Sequence, residues 1–302
     1  MEYLVSRGAN INPGPGRKNV ALAYAIRAAS TDVVLFLLEH GADPNVAETT
    51  HDEVPCSFER TPLIEAMRKL RQDLRTYRDW VEKMPSILTH LLNFGAQINK
   101  PDGYGNTALR LALQCLRLDY SLGIKVSSDS VPNLIQTLLK HGADPNQSSN
   151  GEYTPFMMVM IGFGFGMRWI PQTLRLQVVE MMIPAGADVN ARTPHDTPLT
   201  LAFHAYELGC DLKLSYDTLK ELYETELERA LQKGGVSETD RISLSDVPDD
   251  ECRWDSQVFP VLLRAGATVG QADLDSIKVD LGKREKRWAE IRAAGTTSWY
   301  RW

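Results

Sequence analysis

Net positive charge is the first thing this 302-residue chain lacks: 33 Lys and Arg stand against 39 Asp and Glu, a formal charge of −6. Whole-chain electrostatics therefore repel a phosphate backbone, and general nucleic-acid binding is disfavoured. Cysteine is scarce as well. Cys56, Cys115, Cys210 and Cys252 are spaced neither as a disulfide framework nor as paired zinc ligands, which leaves reduced, buried thiols as the reading. Long apolar runs are missing: none free of charge reaches the ~20 residues of a membrane helix, and the longest, Tyr153 to Met167, is broken by Gly162, Gly164 and Gly166. With Glu2 and Arg7 in its first turns, the N-terminus offers no secretory leader. A cytoplasmic chain is expected, with the nucleus as the alternative address. What is present is enough apolar material, 43%, to fill a core.

The chain also repeats itself. One phrase recurs six times, as LVSRGANIN, LLEHGADPN, LLNFGAQIN, LLKHGADPN, MIPAGADVN and LLRAGATVG, with glycines at 8, 41, 95, 142, 186 and 266. An apolar pair closes a helix, and glycine then caps it in the left-handed conformation that a Cβ disfavours. Four residues past each of the first five glycines stands Asn12, Asn45, Asn99, Asn146 or Asn190. Asparagine there is expected to bond its own backbone in a turn.

A second phrase follows five of these turns: VALAYA from Val20, TPLIEA from Thr61, TALRLA from Thr107, TPFMMV from Thr154 and TPLTLA from Thr197. It reads as a helix start, since Thr caps orphan amides and Pro suits the first helical position. Leu63, Ala66, Met67 and Leu70 then recur at helical spacing. Between Asn99 and Thr107 the segment KPDGYGN is rich in turn formers and fits a hairpin tip.

Helix start, helix, turn, second helix, glycine cap and hairpin together make a unit that resembles the ankyrin repeat and its T-P-L-H-x-A opening. The resemblance covers most of residues 1–270. It implies an all-α ankyrin-repeat solenoid, with a half repeat at 1–12 and five repeats at about 19–45, 60–99, 106–146, 153–190 and 196–270, followed by a helical cap and tail at 271–302. The histidine of the opening is absent, with Ala23, Ile64, Arg110, Met157 and Thr200 in its place. An interrepeat bond is therefore expected to be missing and the stack looser. The half repeat implies a truncated first unit, or a piece of something longer.

Glycine-cap spacing exposes insertions: 33 residues separate the first two caps, then 54, 47, 44 and 80. In the 54-residue interval, Val46 to Arg60 lengthens a hairpin. Leu70, Leu74, Tyr77 and Val81 extend the first helix, and Pro85 opens its partner. Asp119 to Val131 reads as a loop, and Gly162 to Trp169 as an interhelix turn rather than a phosphate cradle. Pro184 removes the amide that would bond Glu180, so its helix is expected to fray before Gly186. The longest insertion, 208–256, holds a helix from Asp217 to Gly234. From Asp217 to Asp255 twelve acids outnumber five bases. The C-terminal part adds an amphipathic helix around Val279 to Ile291 and an aromatic tail, Trp299, Tyr300 and Trp302.

Catalytic spacings are not found. No G-x-S-x-G elbow or G-x-x-x-x-G-K-[ST] loop occurs, and no two histidines share the i, i+4 spacing of a helical metal pair. His40 and His141 precede glycine caps, where imidazole suits a helix C-terminus. No cofactor and no metal are expected. The resemblance implies instead a binding scaffold whose hairpin tips and first helices hold another protein along one concave face. Carried over, that face takes Tyr104 and Asn106 at one tip, Asn150, Glu152 and Tyr153 at the next, and His195 at a third. Its first-helix positions are Arg27, Arg68, Lys69, Gln114 and His204. From Arg60 to Lys83 seven bases outnumber four acids, which suits an acidic peptide against the N-terminal repeats. Solvation of a long helix by Arg71, Arg75 and Arg78 is the plainer account of that charge. An enzyme or small-molecule binder built through the insertions, and a fragment of a larger signalling protein, are the alternatives.

Overall fold

The computed structural model describes residues 3, 6–12, 21–50, 58–73, 78–121, 130–148, 153–161, 172–202 and 258–268. It divides into two compact units, Met1–Ala191 and Arg192–Trp302. In the first unit, helices come in pairs: α1 (Ala21–Arg27) with α2 (Thr31–Glu39), α3 (Pro62–Asp73) with α4 (Arg78–Asn93), α5 (Ala108–Ser121) with α6 (Ser130–Lys140), and α7 (Pro155–Met160) with α8 (Gln172–Met182). One short hairpin precedes α3: β1 (Glu48–Thr50) runs antiparallel to β2 (Phe58–Arg60), with Glu48 opposite Arg60. That is the lengthened hairpin expected from Val46 to Arg60.

Three of the four pairs begin as a threonine dictates. Thr61, Thr107 and Thr154 accept through Oγ1 from the amides of Ile64, Arg110 and Met157, three residues on, at 3.3, 3.3 and 3.1 Å. These bonds satisfy donors that the first helical turn leaves orphaned. Each pair ends on its glycine. At Gly95, φ is +87°, its amide bonds Leu92 O, and the Ala96 amide reaches back to Leu91 O, the double closure of a Schellman cap. A Cβ built on Gly95 would meet nothing within 4 Å, so backbone conformation and not space selects glycine there.

The asparagines do something other than close their own turns. Asn45 Nδ2 donates to Gly95 O at 2.9 Å while its Oδ1 accepts from the Gln97 amide at 2.7 Å, so one side-chain amide grips the cap of the following repeat. Asn12 holds Gly41 and Asp43 in the same way, Asn99 holds Gly142 and Asp144, and Asn146 holds Gly186 and Asp188. The local turn is closed instead by the residue two before: Asp43, Asp144 and Asp188 accept through Oδ1 from the amides of Asn45, Asn146 and Asn190. A motif that recurs identically in each unit bonds to the copy beside it, a geometry that no single copy reveals.

Packing makes two rows. First helices touch in succession, α1 on α3, α3 on α5, α5 on α7; second helices follow suit, α2 on α4, α4 on α6, α6 on α8. The core between the rows is mostly apolar, with Arg175 of α8 among its few buried charged side chains. Leu63, Met67 and Leu70 of α3 meet the layer of Met84, Ile87, Leu88 and Leu91 of α4, all fully buried, as are Phe156 and Met160 of α7. Each such side chain contributes on the order of 1.5–3 kcal/mol by leaving water. The expected stripe of Leu63, Ala66, Met67 and Leu70 is the buried one.

Three helix boundaries depart from the sequence reading. Pro85 does not open α4, which begins at Arg78 and carries the proline inside; Val81 therefore belongs to this second helix, not to an extension of the first. Only one ladder bond is lost at a proline, and the buried run of Met84, Ile87, Leu88 and Leu91 offsets it. Helix α5 continues through Asp119 to Ser121, and α6 already begins at Ser130, so the intervening loop is shorter than Asp119 to Val131. Helix α8 stops at Met182, four residues before its glycine, where α2, α4 and α6 stop two before theirs; Pro184 shortens it as expected. Its cap survives, with the Ala187 amide on Met182 O at 3.1 Å.

In the second unit, Thr193 and Asp196 close a turn through the Thr193 amide on Asp196 O, and Thr197 Oγ1 accepts from the Thr200 amide at the start of the helical stretch 198–202. A helix α9 (Val258–Arg264) ends in the same cap, with the Ala267 amide on Leu262 O and Gly266 at φ +91°. The glycine-rich segment 162–169, the Asp217 to Gly234 helix, the helix around 279–291 and the aromatic tail lie outside the described residues.

Candidate functional site

The tip before α5 is built around one carboxylate. Asp102, whose side chain is 1% exposed, accepts through Oδ1 from the amides of Tyr104 (2.9 Å) and Asn106 (2.8 Å), and its own amide donates to Asn106 O at 3.0 Å. Gly105, at φ +77°, lets the chain turn inside this cage. The remaining oxygen, Oδ2, takes Arg68 Nη1 of α3 at 3.4 Å, so the first helix of one repeat fixes the tip of the next. Tyr104 is thereby presented with half its surface, 50%, open, and the Arg68 guanidinium lies over its ring at 5.9 Å. Asn106 Oδ1 accepts from Gln114 Nε2 at 3.4 Å, and Gln114 Oε1 accepts from Arg71 Nη1 at 2.8 Å.

Towards α1 the same helix α3 meets Arg27. Its Nε donates to Glu65 Oε1 at 2.7 Å, and Arg60 Nη1 stands 3.9 Å from Glu65 Oε2. Arg27 also lies over the ring of Tyr24 at 5.3 Å. Towards α7, Arg110 Nη1 donates to Tyr153 O at 3.0 Å. Arg110 occupies the histidine position of the repeat opening, so the interrepeat bond expected to be missing is made there by a longer side chain reaching a backbone carbonyl. The loss inferred from the absent histidine is corrected at this junction.

Of the residues read from sequence, Arg68, Tyr104, Asn106 and Gln114 come together in one bonded cluster, with Arg27 joined to the same helix through Glu65. Lys69 is the next, half-buried residue of α3, and Tyr153 is half-buried at the following tip. His195 is exposed on the Thr193–Asp196 turn of the second unit, its amide 3.4 Å from Thr193 Oγ1. Asn150, Glu152 and His204 lie outside the described residues. Sequence reasoning missed Asp102, Glu65, Arg60 and Arg110. Asp102 left a trace, an aspartate followed by the turn formers Gly103, Gly105 and Asn106, a setting in which a carboxylate collects nearby amides. The ion partners left none, because pairing across repeats has no fixed sequence separation.

Among the described residues no group of three His, Cys, Asp or Glu is placed to hold a metal ion, and no helix is long and apolar enough to cross a membrane. Cys115 is buried in the core of α5.

Helix pairs stacked in two rows, joined by asparagine grips and hairpin tips, define an α-helical repeat protein whose variable side chains lie on first helices and tips. Residues 17–48 match the family model of the ankyrin repeat. The first helix pair thus falls in a segment that matches the ankyrin repeat, and the chain as a whole resembles ankyrin-repeat proteins. It is similar to human ankyrin repeat and SOCS box protein 6, 25% identical over 214 residues, which are 68% of this chain and 44% of that protein. The protein of the same name from Pongo abelii matches to the same extent. A putative ankyrin repeat protein of fowlpox virus is 28% identical over 191 residues, 61% of this chain and 43% of the viral one. The chain thus spans less than half the length of the curated relatives it matches.

Proposed function

We propose that this chain is a non-catalytic interaction module working in the cytoplasm or nucleus, and that another protein lies along its first helices and tips. Ankyrin repeats generally mediate protein–protein interaction, and the observation that carries the reading here is Tyr104. An aromatic ring half open to solvent sits on a tip already locked by Asp102, so little ordering is left for binding to demand. Aromatic anchors of this kind carry most of an interface's affinity. Arg27, Arg68, Lys69, Asn106 and Gln114 would flank the anchor, Tyr153, Asn150 and Glu152 the next tip, and His195 and His204 a third contact. The excess of bases between Arg60 and Lys83 favours an acidic segment against this part.

The test is capture of partners from native extract by the full chain and by a Tyr104→Ala/Tyr153→Ala variant whose thermal unfolding is first shown to be unchanged. Specific partners should be lost at a weakening of roughly thirtyfold or more, the loss of about 2 kcal/mol that an aromatic hot spot carries. Retention of every specific partner by that variant rejects the assignment of the face.

A further inference from the structure

The fifth residue of each first-helix phrase faces the repeat before it. At α3 this residue is Glu65, whose Oε1 accepts from Arg27 Nε of α1 at 2.7 Å, and it is buried, as are Leu111 of α5 and Met158 of α7, none of them more than 8% exposed. In each case the preceding first helix packs against the helix that carries it. At α1 the same place holds Tyr24, which is 52% exposed and has the Arg27 guanidinium over its ring at 5.3 Å. Among the described residues no first helix stands before α1. The second-helix row is open at this end too. Tyr3, five residues before Gly8, is 68% exposed, whereas Phe36, His90, Thr137 and Met181, equally far before their glycines, are half-buried. The two most exposed large apolar side chains among the described residues thus stand at one end of the rows, each at a place that later repeats cover.

We infer that this end is an interface between two copies of the chain, joined about a two-fold axis with α1 and Tyr24 of each against those of the other. Continuity with the packing inside the molecule selects the occupant. At three junctions, α1 on α3, α3 on α5 and α5 on α7, the surface that packs against the helix carrying this position is a first helix of this same chain, so a second copy presents the kind of face that the position already fits. A two-fold sets like against like, and at Tyr24 it brings ring to ring, an arrangement that is favourable edge to face or offset. A glutamate at this place, as in α3, would instead bring carboxylate to carboxylate. Covering the open parts of Tyr3 and Tyr24 in both copies removes about 400 Å² of surface. The helical turns around them must supply the rest of the roughly 1,000 Å² that a specific interface needs, so association in the micromolar range is expected. The surface is apart from the Tyr104 tip and goes beyond the interaction reading above; either can fail without the other.

The experiment is sedimentation velocity of the untagged full chain from about 1 to about 100 μM, with Tyr24→Glu, Tyr24→Ser and Tyr104→Ala variants in parallel. The mass of the unmodified chain should pass from one chain towards two as concentration rises. Tyr24→Glu gives α1 the residue that α3 carries at this place and should weaken dimerisation at least about tenfold, Tyr24→Ser should fall between, and Tyr104→Ala should dimerise as the parent does. If Tyr24→Glu does not fold, Tyr24→Ser carries the test. A single-chain mass at every concentration would overturn the inference, as would association that both Tyr24 variants leave unchanged. Assembly beyond two chains would overturn the two-fold arrangement, and loss of association in Tyr104→Ala alone would move the interface to the tip and overturn it as well.

Discussion

The two edges of the first unit solve one problem in opposite ways. Along the turn edge every junction uses the same device: one asparagine amide holds the next glycine carbonyl and the amide two residues beyond, four times over. Along the first-helix edge no two junctions agree. Arg27 meets Glu65 across one, Arg68 meets Asp102 and Arg71 meets Gln114 across the next, and Arg110 takes a backbone carbonyl across the third. Uniform bonds to backbone fix the spacing of repeats whatever the side chains around them. The other edge is then free to vary, and variable side chains are where a scaffold can carry specificity.

That contrast breaks most sharply if the uniform edge is the weaker one. Asn45→Ala with Asn99→Ala removes four hydrogen bonds at two separate junctions, and the loss should be about 2–4 kcal/mol in urea unfolding, close to the sum of the single variants. A loss under 1 kcal/mol would show that water replaces the grip at little cost. Next in size, Gly95→Ala adds a Cβ that meets nothing yet must adopt φ +87°, so calorimetry should record a destabilisation of about 1 kcal/mol from conformation alone. The smallest effect belongs to the variable edge. Arg27→Gln breaks a partly exposed ion pair, and after allowance for solvent the unfolding free energy should fall by roughly 0.5 kcal/mol, less at high salt.

The same division explains what the sequence made legible. Threonine caps and glycine endings follow local rules, so helix starts at Thr61, Thr107 and Thr154 and caps at the glycines could be read residue by residue. Pro85 misled because a proline is judged by its neighbours within a turn, whereas its helix is held by core residues from another layer. Asn45 was read as a turn residue and is a cross-repeat clamp; its partner lies about fifty positions away, beyond any local pattern. At the candidate site the exposed Tyr104 and the half-buried Arg68, Asn106 and Gln114 were legible from repeat register. The buried acids that hold them, Asp102 and Glu65, were not, since nothing in their immediate neighbours announces which arginine of an adjacent repeat will arrive.

The asparagine grip has a practical corollary. In every junction the amide proton it seals, at Asp43, Gln97, Asp144 and Asp188, belongs to one repeat while the acceptor belongs to the one before. Deuterium uptake at these four protons therefore reads the separation of adjoining repeats one seam at a time, and gives the protein a built-in gauge of where it first comes apart.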